Sequence, residues 1–244
     1  MGALFSLAYG LIAYALFLTT FLYAIAFTGK IFVAKSIDTG APVPLPEALI
    51  VNLILLGIFA VQHSVMARRS FKRWWTRIVP PAVERSTYVL AASLALALIL
   101  WQWRPISEPV VWNVESRTGG DLLWVVFWLG WAVTLLSTFL LNHFELFGLR
   151  QVYARLAGHE LPEPEFRTPL LYRYVRHPLY LGLLLGFWAA PVMTAGHLLF
   201  SIGCTGYILV GIWFEERDLI VQFGDRYRRY RSQVGMLLPS RRAP

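Results

Sequence analysis

Uncharged segments of similar length alternate along the chain with stretches that hold the charged residues. Four of these segments contain no Asp, Glu, Lys or Arg. Each is near the length of roughly 20 residues that an α-helix needs to cross the hydrocarbon core of a bilayer. They predict four membrane-spanning helices, within residues 1–29, 48–67, 86–103 and 122–142.

A fifth uncharged segment, residues 177–214, is longer than the others and holds 38 residues. At about 1.5 Å per residue, one helix of that length is far longer than a bilayer core requires. Pro191 and Gly196 lie near its middle, where proline removes an amide donor and glycine loosens the backbone. We therefore predict a helical hairpin that turns at "APVMTAGH", residues 190–197. The fold class that follows is an all-α polytopic integral membrane helix bundle with about six transmembrane helices and cytoplasmic amphipathic helices.

The composition agrees with a membrane protein, because 57% of the residues are hydrophobic and only 15% are charged. The net charge of +8 does not indicate a nucleic-acid partner, since the cations cluster where the positive-inside bias and anionic lipid headgroups place them. Residues 68–85 hold six cations against one acid, whereas residues 104–121 hold two against three. This difference predicts that residues 68–85 and both termini are cytoplasmic.

No repeat, flexible linker or low-complexity segment divides the chain, which predicts one domain over residues 1–244. Cys204, the single cysteine, lies in the last uncharged segment and is interpreted as a small core residue. Five histidines occur, and no two lie within one helical turn, so no metal site is predicted.

Polar residues stand at the predicted cytoplasmic ends of the spans. For each of them alone, an ordinary polar helix end is a sufficient interpretation. Together they indicate more, because acids and imidazoles at the edge of the hydrocarbon are costly unless they are paired or used. The residues are His63, Asn142, His143, His177, Glu215 and Glu216.

The carboxyl-terminal stretch predicts a helix with one apolar and aromatic stripe. Its positions recur at steps of three and four, which is the spacing of one helix face. One interpretation is an amphipathic helix on anionic headgroups. The other is a cage of rings and carboxylates near His177 and Tyr180 that could enclose a cationic ligand. The stripe consists of Glu216, Leu219, Phe223, Tyr227, Tyr230 and Val234.

Three motifs resemble a known family when their order and spacing are taken together: "RHPLYLG" (176–182), "EERDLIVQFG" (215–224) and "YRRYRSQVGMLLP" (227–239). They are similar to the carboxyl-terminal signature of isoprenylcysteine carboxyl methyltransferases and their membrane relatives. The upstream stretches "QHSVMARRSFKRWW" and "LNHFELFGLRQVY" look like the NnrU-like branch of these membrane methyltransferases. The resemblance covers nearly the whole chain.

The resemblance implies S-adenosyl-L-methionine as methyl donor and S-adenosyl-L-homocysteine as product, bound mainly within residues 142–239. The amide groups at the start of the helix at Pro178 are expected to receive the cofactor carboxylate, with Arg176 adding positive charge. The implied cofactor-binding residues are Tyr174, Arg176, His177, Pro178, Tyr180, Gly182, Glu215, Glu216, Tyr227 and Tyr230.

The resemblance further implies a small-molecule thiol as acceptor, methanethiol being converted to dimethyl sulfide, in a bacterial inner membrane and in contact with its lipids. A small alkyl thiol is mostly protonated at neutral pH, so a proton acceptor is useful. His143 is the predicted base, Asn142 the residue that orients it, and Glu145 the second choice. Two alternatives stay open: methylation of a lipid-like acceptor such as an isoprenylcysteine carboxylate, and a non-enzymatic NnrU-type binding protein.

Overall fold

The protein is almost entirely helical in the computed structural model, which describes residues 2–162 and 165–239. A 3-10 helix (Leu170–Arg173) precedes α8, and the two short strands pair with each other. In chain order the elements are α1 (Ala3–Gly29), α2 (Leu45–Ala67), α3 (Arg69–Trp75), α4 (Pro81–Gln102), β1 (Val110–Asn113), α5 (Arg117–Leu140), α6 (His143–Leu146), α7 (Leu149–Ala157), α8 (Pro178–Trp188), β2 (Val192–Thr194), α9 (Ala195–Phe223) and α10 (Asp225–Gln233).

The predicted all-α polytopic membrane fold is confirmed. Among the described residues, five helices are long and apolar enough to cross a membrane, namely α1, α2, α4, α5 and α9. The remaining apolar helix, α8, has 11 residues and therefore extends about 16 Å, roughly half of a bilayer core. A sixth complete crossing stays a prediction.

The described residues form two compact units. The first is built from residues of the ranges 1–112, 142–162 and 192–199, and the second from residues of the ranges 113–141, 163–191 and 200–244. The prediction of a single domain stays a prediction, and residues 1, 163–164 and 240–244 of its range lie outside the described residues.

In the first unit, α4 holds the segment that carries the predicted base. The Nε of Arg85 donates to the carbonyl oxygen of Leu146 at 2.7 Å. Gly148, with φ of +86°, turns the chain into α7, and a Cβ at that position would lie 2.8 Å from the backbone nitrogen of Ser86. Only glycine fits such a close approach in the left-handed region. The α6–α7 segment is thereby fixed against α4.

In the second unit, small residues bring α5 and α8 into backbone contact. A Cβ on Gly130 would lie 2.6 Å from the nitrogen of Gly186 and 2.7 Å from the oxygen of Gly182. The hydroxyl of Thr134 donates to the carbonyl oxygens of Gly130 (3.0 Å) and Leu179 (3.4 Å). Close approach of this kind stabilises helix pairs in membranes, because lipid provides no hydrophobic force between helices.

The predicted hairpin of α8 and α9 is confirmed within the second unit. The hydroxyl of Ser201 donates to the carbonyl oxygen of Phe187 at 2.9 Å, and the indole nitrogen of Trp188 donates to Thr205 at 2.9 Å. At the opposite end of α8, Tyr180 reaches Glu215. These contacts run in opposite directions along the two helices, so the helices are antiparallel.

The single tail helix expected from the apolar stripe is interrupted. α9 ends at Phe223, Gly224 adopts φ of +56°, and α10 begins at Asp225. The positive φ explains the break, because a right-handed helix cannot continue through it. The stripe nevertheless stays on the packed side, since Tyr227 and Val234 are buried.

We expect Gly130→Ala to lower the free energy of unfolding by about 1–3 kcal/mol, because the added methyl group meets the rigid backbone of α8. Gly206→Ala on α9 is the matched control, since a Cβ there meets nothing within 4 Å. Thermal unfolding in detergent measures both variants. Equal unfolding temperatures for the two would contradict the packing assigned to α5 and α8.

Candidate active site

The predicted site residues fall into two groups, one in each unit. Asn142, His143 and Glu145 belong to the first unit. All the predicted cofactor-binding residues, from Tyr174 to Tyr230, belong to the second. The geometry of each group follows from contacts inside its own unit.

His143 is buried at the start of α6, with 4% of its surface exposed. Its Nε2 lies 2.8 Å from the hydroxyl of Tyr14, and its ring packs 4.8 Å from the ring of Phe147. Burial lowers the pKa of the imidazole below its ordinary value, because the charged form loses its water. The neutral imidazole that results at neutral pH is able to accept a proton.

Tyr14 was not predicted to be a site residue. It lies 129 positions before His143 in an uncharged helix, and no local pattern links the two. The signal that could have pointed to Tyr14 is its hydroxyl, because a polar group within a predicted span needs a hydrogen-bond partner.

Asn142 and Glu145 contact each other. The Nδ2 of Asn142 donates to Oε2 of Glu145 at 2.7 Å, and the Nη1 of Arg150 donates to the same oxygen at 2.6 Å. The amide of Asn142 thus bonds Glu145, whereas Nε2 of His143 contacts Tyr14; an orienting role of Asn142 stays a prediction. Both of these hydrogen bonds engage the Glu145 carboxylate, and its place as second-choice base stays a prediction.

In the second unit, Glu216 is the centre of an ion-pair network. Its Oε1 accepts from the Nε of Arg176 at 2.8 Å and lies 3.1 Å from the Nε2 of His177. Its Oε2 lies 3.0 Å from the Nε of Arg231. The side chain is only 8% exposed, so these partners replace the water that the carboxylate loses. Glu216 therefore holds three segments of the unit together, and its contact with the cofactor stays a prediction.

Arg176 ties the tail to the segment before α8. Its Nη1 donates to the carbonyl oxygens of Arg231, at 3.0 Å, and Val234. The backbone nitrogens of Arg176 and His177 donate to Gly235 (2.9 Å) and Met236 (3.1 Å). Its charge is thus balanced by Glu216, and its contribution to binding a cofactor carboxylate stays a prediction.

Glu215 differs from Glu216 because one of its carboxylate oxygens can still accept a hydrogen bond. Its Oε2 accepts from the hydroxyl of Tyr180 at 2.9 Å, and its Oε1 makes no hydrogen bond within the described part of the chain. The side chain is 41% exposed. A carboxylate in this state can accept hydrogen bonds from ribose hydroxyls or an amine.

Aromatic rings line the same part of the unit. The ring of Phe166 lies 5.4 Å from those of Phe223 and Tyr230 and 5.9 Å from that of Tyr227. Phe166 was not predicted; it is a lone aromatic residue in a polar loop, and helical spacing could not reveal it. Burial raises the pKa of Tyr172, Tyr227 and Tyr230. These phenols are therefore neutral hydrogen-bond donors.

Three more residues were predicted to bind the cofactor, namely Pro178, Gly182 and Tyr174, and each lies in different surroundings. Pro178 is fully buried at the start of α8. Gly182 faces α5, where its missing side chain allows the close approach described above. Tyr174 is exposed beside the 3-10 helix. Their contacts with a cofactor stay predictions.

Curated relatives cover nearly the whole chain. It is 58% identical over 234 residues to the methanethiol S-methyltransferase of Mycobacterium tuberculosis, a match that covers 96% of both chains. It is 56% identical over 235 residues to methanethiol S-methyltransferase 1 of Bradyrhizobium diazoefficiens, covering 96% of this chain and 82% of the relative. The chain belongs to the methanethiol S-methyltransferase family. A third member, from Crocosphaera subtropica, is 52% identical over 235 residues, 96% of this chain and 92% of its own.

No protein-family model and no solved structure matches the chain. Membership of the methanethiol S-methyltransferase family confirms the resemblance drawn from "RHPLYLG" and the two tail motifs. An S-methyltransferase needs a methyl donor. In the described part of the second unit, Glu215 and Tyr227 each have an oxygen that makes no hydrogen bond and could contact such a ligand.

We expect Arg176→Gln to lower the free energy of unfolding by about 3 kcal/mol, because Glu216 keeps its buried charge and loses a partner. It should also expose α10 to chymotrypsin, which cleaves after Tyr227 and Tyr230. Arg228→Gln is the control, since Arg228 pairs with the exposed Asp225 and such pairs contribute about 0–1 kcal/mol. Unchanged unfolding and cleavage in Arg176→Gln would contradict the role of the network.

Proposed function

We propose that this protein transfers a methyl group from S-adenosylmethionine to methanethiol, forming dimethyl sulfide and S-adenosylhomocysteine. The observation that carries the proposal is the 58% identity over 96% of both chains with a protein named methanethiol S-methyltransferase. Three features of the second unit support it: the ion-pair network of Glu216, the aromatic rings around Phe166, and the carboxylate of Glu215, which can accept further hydrogen bonds.

The residues of the second unit fit an S-adenosyl compound. When bound, S-adenosylmethionine supplies an electrophilic methyl group on a positively charged sulfur. Glu215 offers negative charge and a free oxygen, and the rings of Phe166, Tyr227 and Tyr230 attract cations through their quadrupoles. The buried hydroxyl of Tyr227 has no partner among the described residues and is available to a ligand.

The thiol has to lose its proton before or during transfer, and we propose His143 as the acceptor. Its lowered pKa keeps the imidazole neutral at neutral pH, which is the form that takes up a proton. The contact between its Nε2 and Tyr14 restricts the ring to one orientation. Tyr14 is thus a positioning residue.

We propose that the protein lies in a bacterial inner membrane with both termini and the active site on the cytoplasmic side. The six cations of residues 68–85 support this orientation. The five apolar helices agree with it when α8 is counted as the sixth crossing, because an even number of crossings returns the chain to its starting side. The named relatives are bacterial, which supports the choice of membrane.

Purified protein in detergent should produce dimethyl sulfide and S-adenosylhomocysteine in equal amounts from methanethiol and S-adenosylmethionine. Headspace gas chromatography measures the volatile dimethyl sulfide, and liquid chromatography measures S-adenosylhomocysteine. Glu215→Gln should raise the KM for the donor about 10- to 100-fold, because charged hydrogen bonds contribute about 1.5–3 kcal/mol. Asp225→Asn, an exposed acid on α10, is the control and should stay within about twofold. Binding of S-adenosylhomocysteine without any volatile product would contradict the thiol acceptor.

His143→Gln should lower kcat at saturating donor and thiol by about 100-fold, because a positioned base contributes at least that factor. The amide keeps a polar group beside Tyr14 and accepts no proton. His159→Gln is the control, since His159 is exposed on a loop. A kcat within about threefold of the parent protein, with an unchanged unfolding temperature, would remove His143 as the base.

A further inference from the structure

The hydroxyl of Tyr227 is a buried polar group without a partner in the described chain. The residue is 2% exposed, and its oxygen makes no hydrogen bond to any described residue. Buried polar groups in proteins are paired in the large majority of cases, because an unpaired one costs about 1–3 kcal/mol. A buried donor of this kind, which also interacts electrostatically with Glu215, is a candidate contact for a bound ligand.

Neighbouring tyrosines in the same unit do not share this feature. The hydroxyl of Tyr230, one turn further along α10, donates to the carbonyl oxygen of Tyr172 at 2.5 Å. The hydroxyl of Tyr180 donates to Glu215 at 2.9 Å. Tyr230 and Tyr180 therefore hold the protein together, whereas Tyr227 contributes a ring contact and a free donor.

The charges around Tyr227 restrict the ligand atom that it can contact. Burial raises the pKa of the phenol, and Glu216 and Glu215 raise it further while Arg176 opposes them, so the hydroxyl keeps its proton and donates. Two carboxylates nearby repel an anionic ligand group. The guanidinium of Arg176 is already paired with Glu216. A neutral acceptor is the favoured partner.

We propose that the Tyr227 hydroxyl donates a hydrogen bond to a neutral acceptor atom of the adenosine moiety, a ribose oxygen or an adenine nitrogen, of the bound S-adenosyl compound. This assignment rests on the proposed function, and it separates Tyr227, which binds the ligand, from Tyr230, which positions α10. The ring of Phe166 lies 5.9 Å from the ring of Tyr227 and fixes the orientation of the tyrosine.

The test is calorimetric titration in detergent with two ligands, S-adenosylhomocysteine and 5′-methylthioadenosine, the second of which lacks the amino-acid part. Tyr227→Phe should bind both ligands about 3- to 12-fold more weakly, the factor that corresponds to one neutral hydrogen bond. Tyr153→Phe is the control, because Tyr153 is 62% exposed on α7, and it should bind both as the parent protein does. The ligand-free unfolding temperature of Tyr227→Phe should not fall, since the hydroxyl bonds nothing in the described part of the chain.

Each of the other possible outcomes would overturn a specific part of this inference. Unchanged affinity of Tyr227→Phe for both ligands overturns the contact. Weaker binding of S-adenosylhomocysteine alone overturns the assignment to adenosine and moves the contact to the amino-acid part. A lower ligand-free unfolding temperature shows that the hydroxyl bonds the chain itself and also overturns the inference. If the parent protein binds neither ligand, the proposed methyl donor is wrong, and the inference fails with it.

Discussion

A carboxylate at the end of a long apolar helix needs partners, and Glu216 on α9 obtains them from two other segments. Arg176 and His177 come from the segment before α8, and Arg231 comes from α10. An unpaired carboxylate with 8% exposure would be costly, so the three segments are held in one arrangement. The positions of Tyr227, Tyr230 and the backbone of residues 234–236 depend on that requirement.

The hairpin of α8 and α9 is held in this arrangement because α8 also packs against α5. Glycines at 130, 182 and 186 let α5 and α8 touch through their backbones, and the Thr134 hydroxyl bridges the two helices. α8 is too short to span a bilayer core by itself. Packing against α5 and α9 therefore fixes its depth and places His177 and Tyr180 beside the acids of α9.

Features that depend on composition or local spacing could be predicted from the sequence. The absence of charge located α1, α2, α4 and α5 to within five residues at each end. Pro191 and Gly196 located the hairpin turn, whereas α9 continues past the last uncharged residue, Phe214, to Phe223. The burial of Tyr227 followed from the three- and four-residue spacing of the tail, even though Gly224 breaks the helix there. Contacts between distant positions could not be predicted, because spacing carries no information about them. Tyr14 with His143 and Phe166 with Tyr227 are such contacts.

The adjacent acids Glu215 and Glu216 show why residue type alone did not separate structural from ligand-binding roles. Successive residues on an α-helix point about 100° apart, so the two carboxylates face different surroundings. Glu216 turns toward two guanidinium groups and an imidazole and is saturated by them. Glu215 turns toward Tyr180 and keeps one oxygen free. The same division separates Tyr230, whose hydroxyl bonds Tyr172, from Tyr227, whose hydroxyl has no partner in the described part of the chain. In each pair one residue stabilises the fold, and the other is the one that we propose for the ligand.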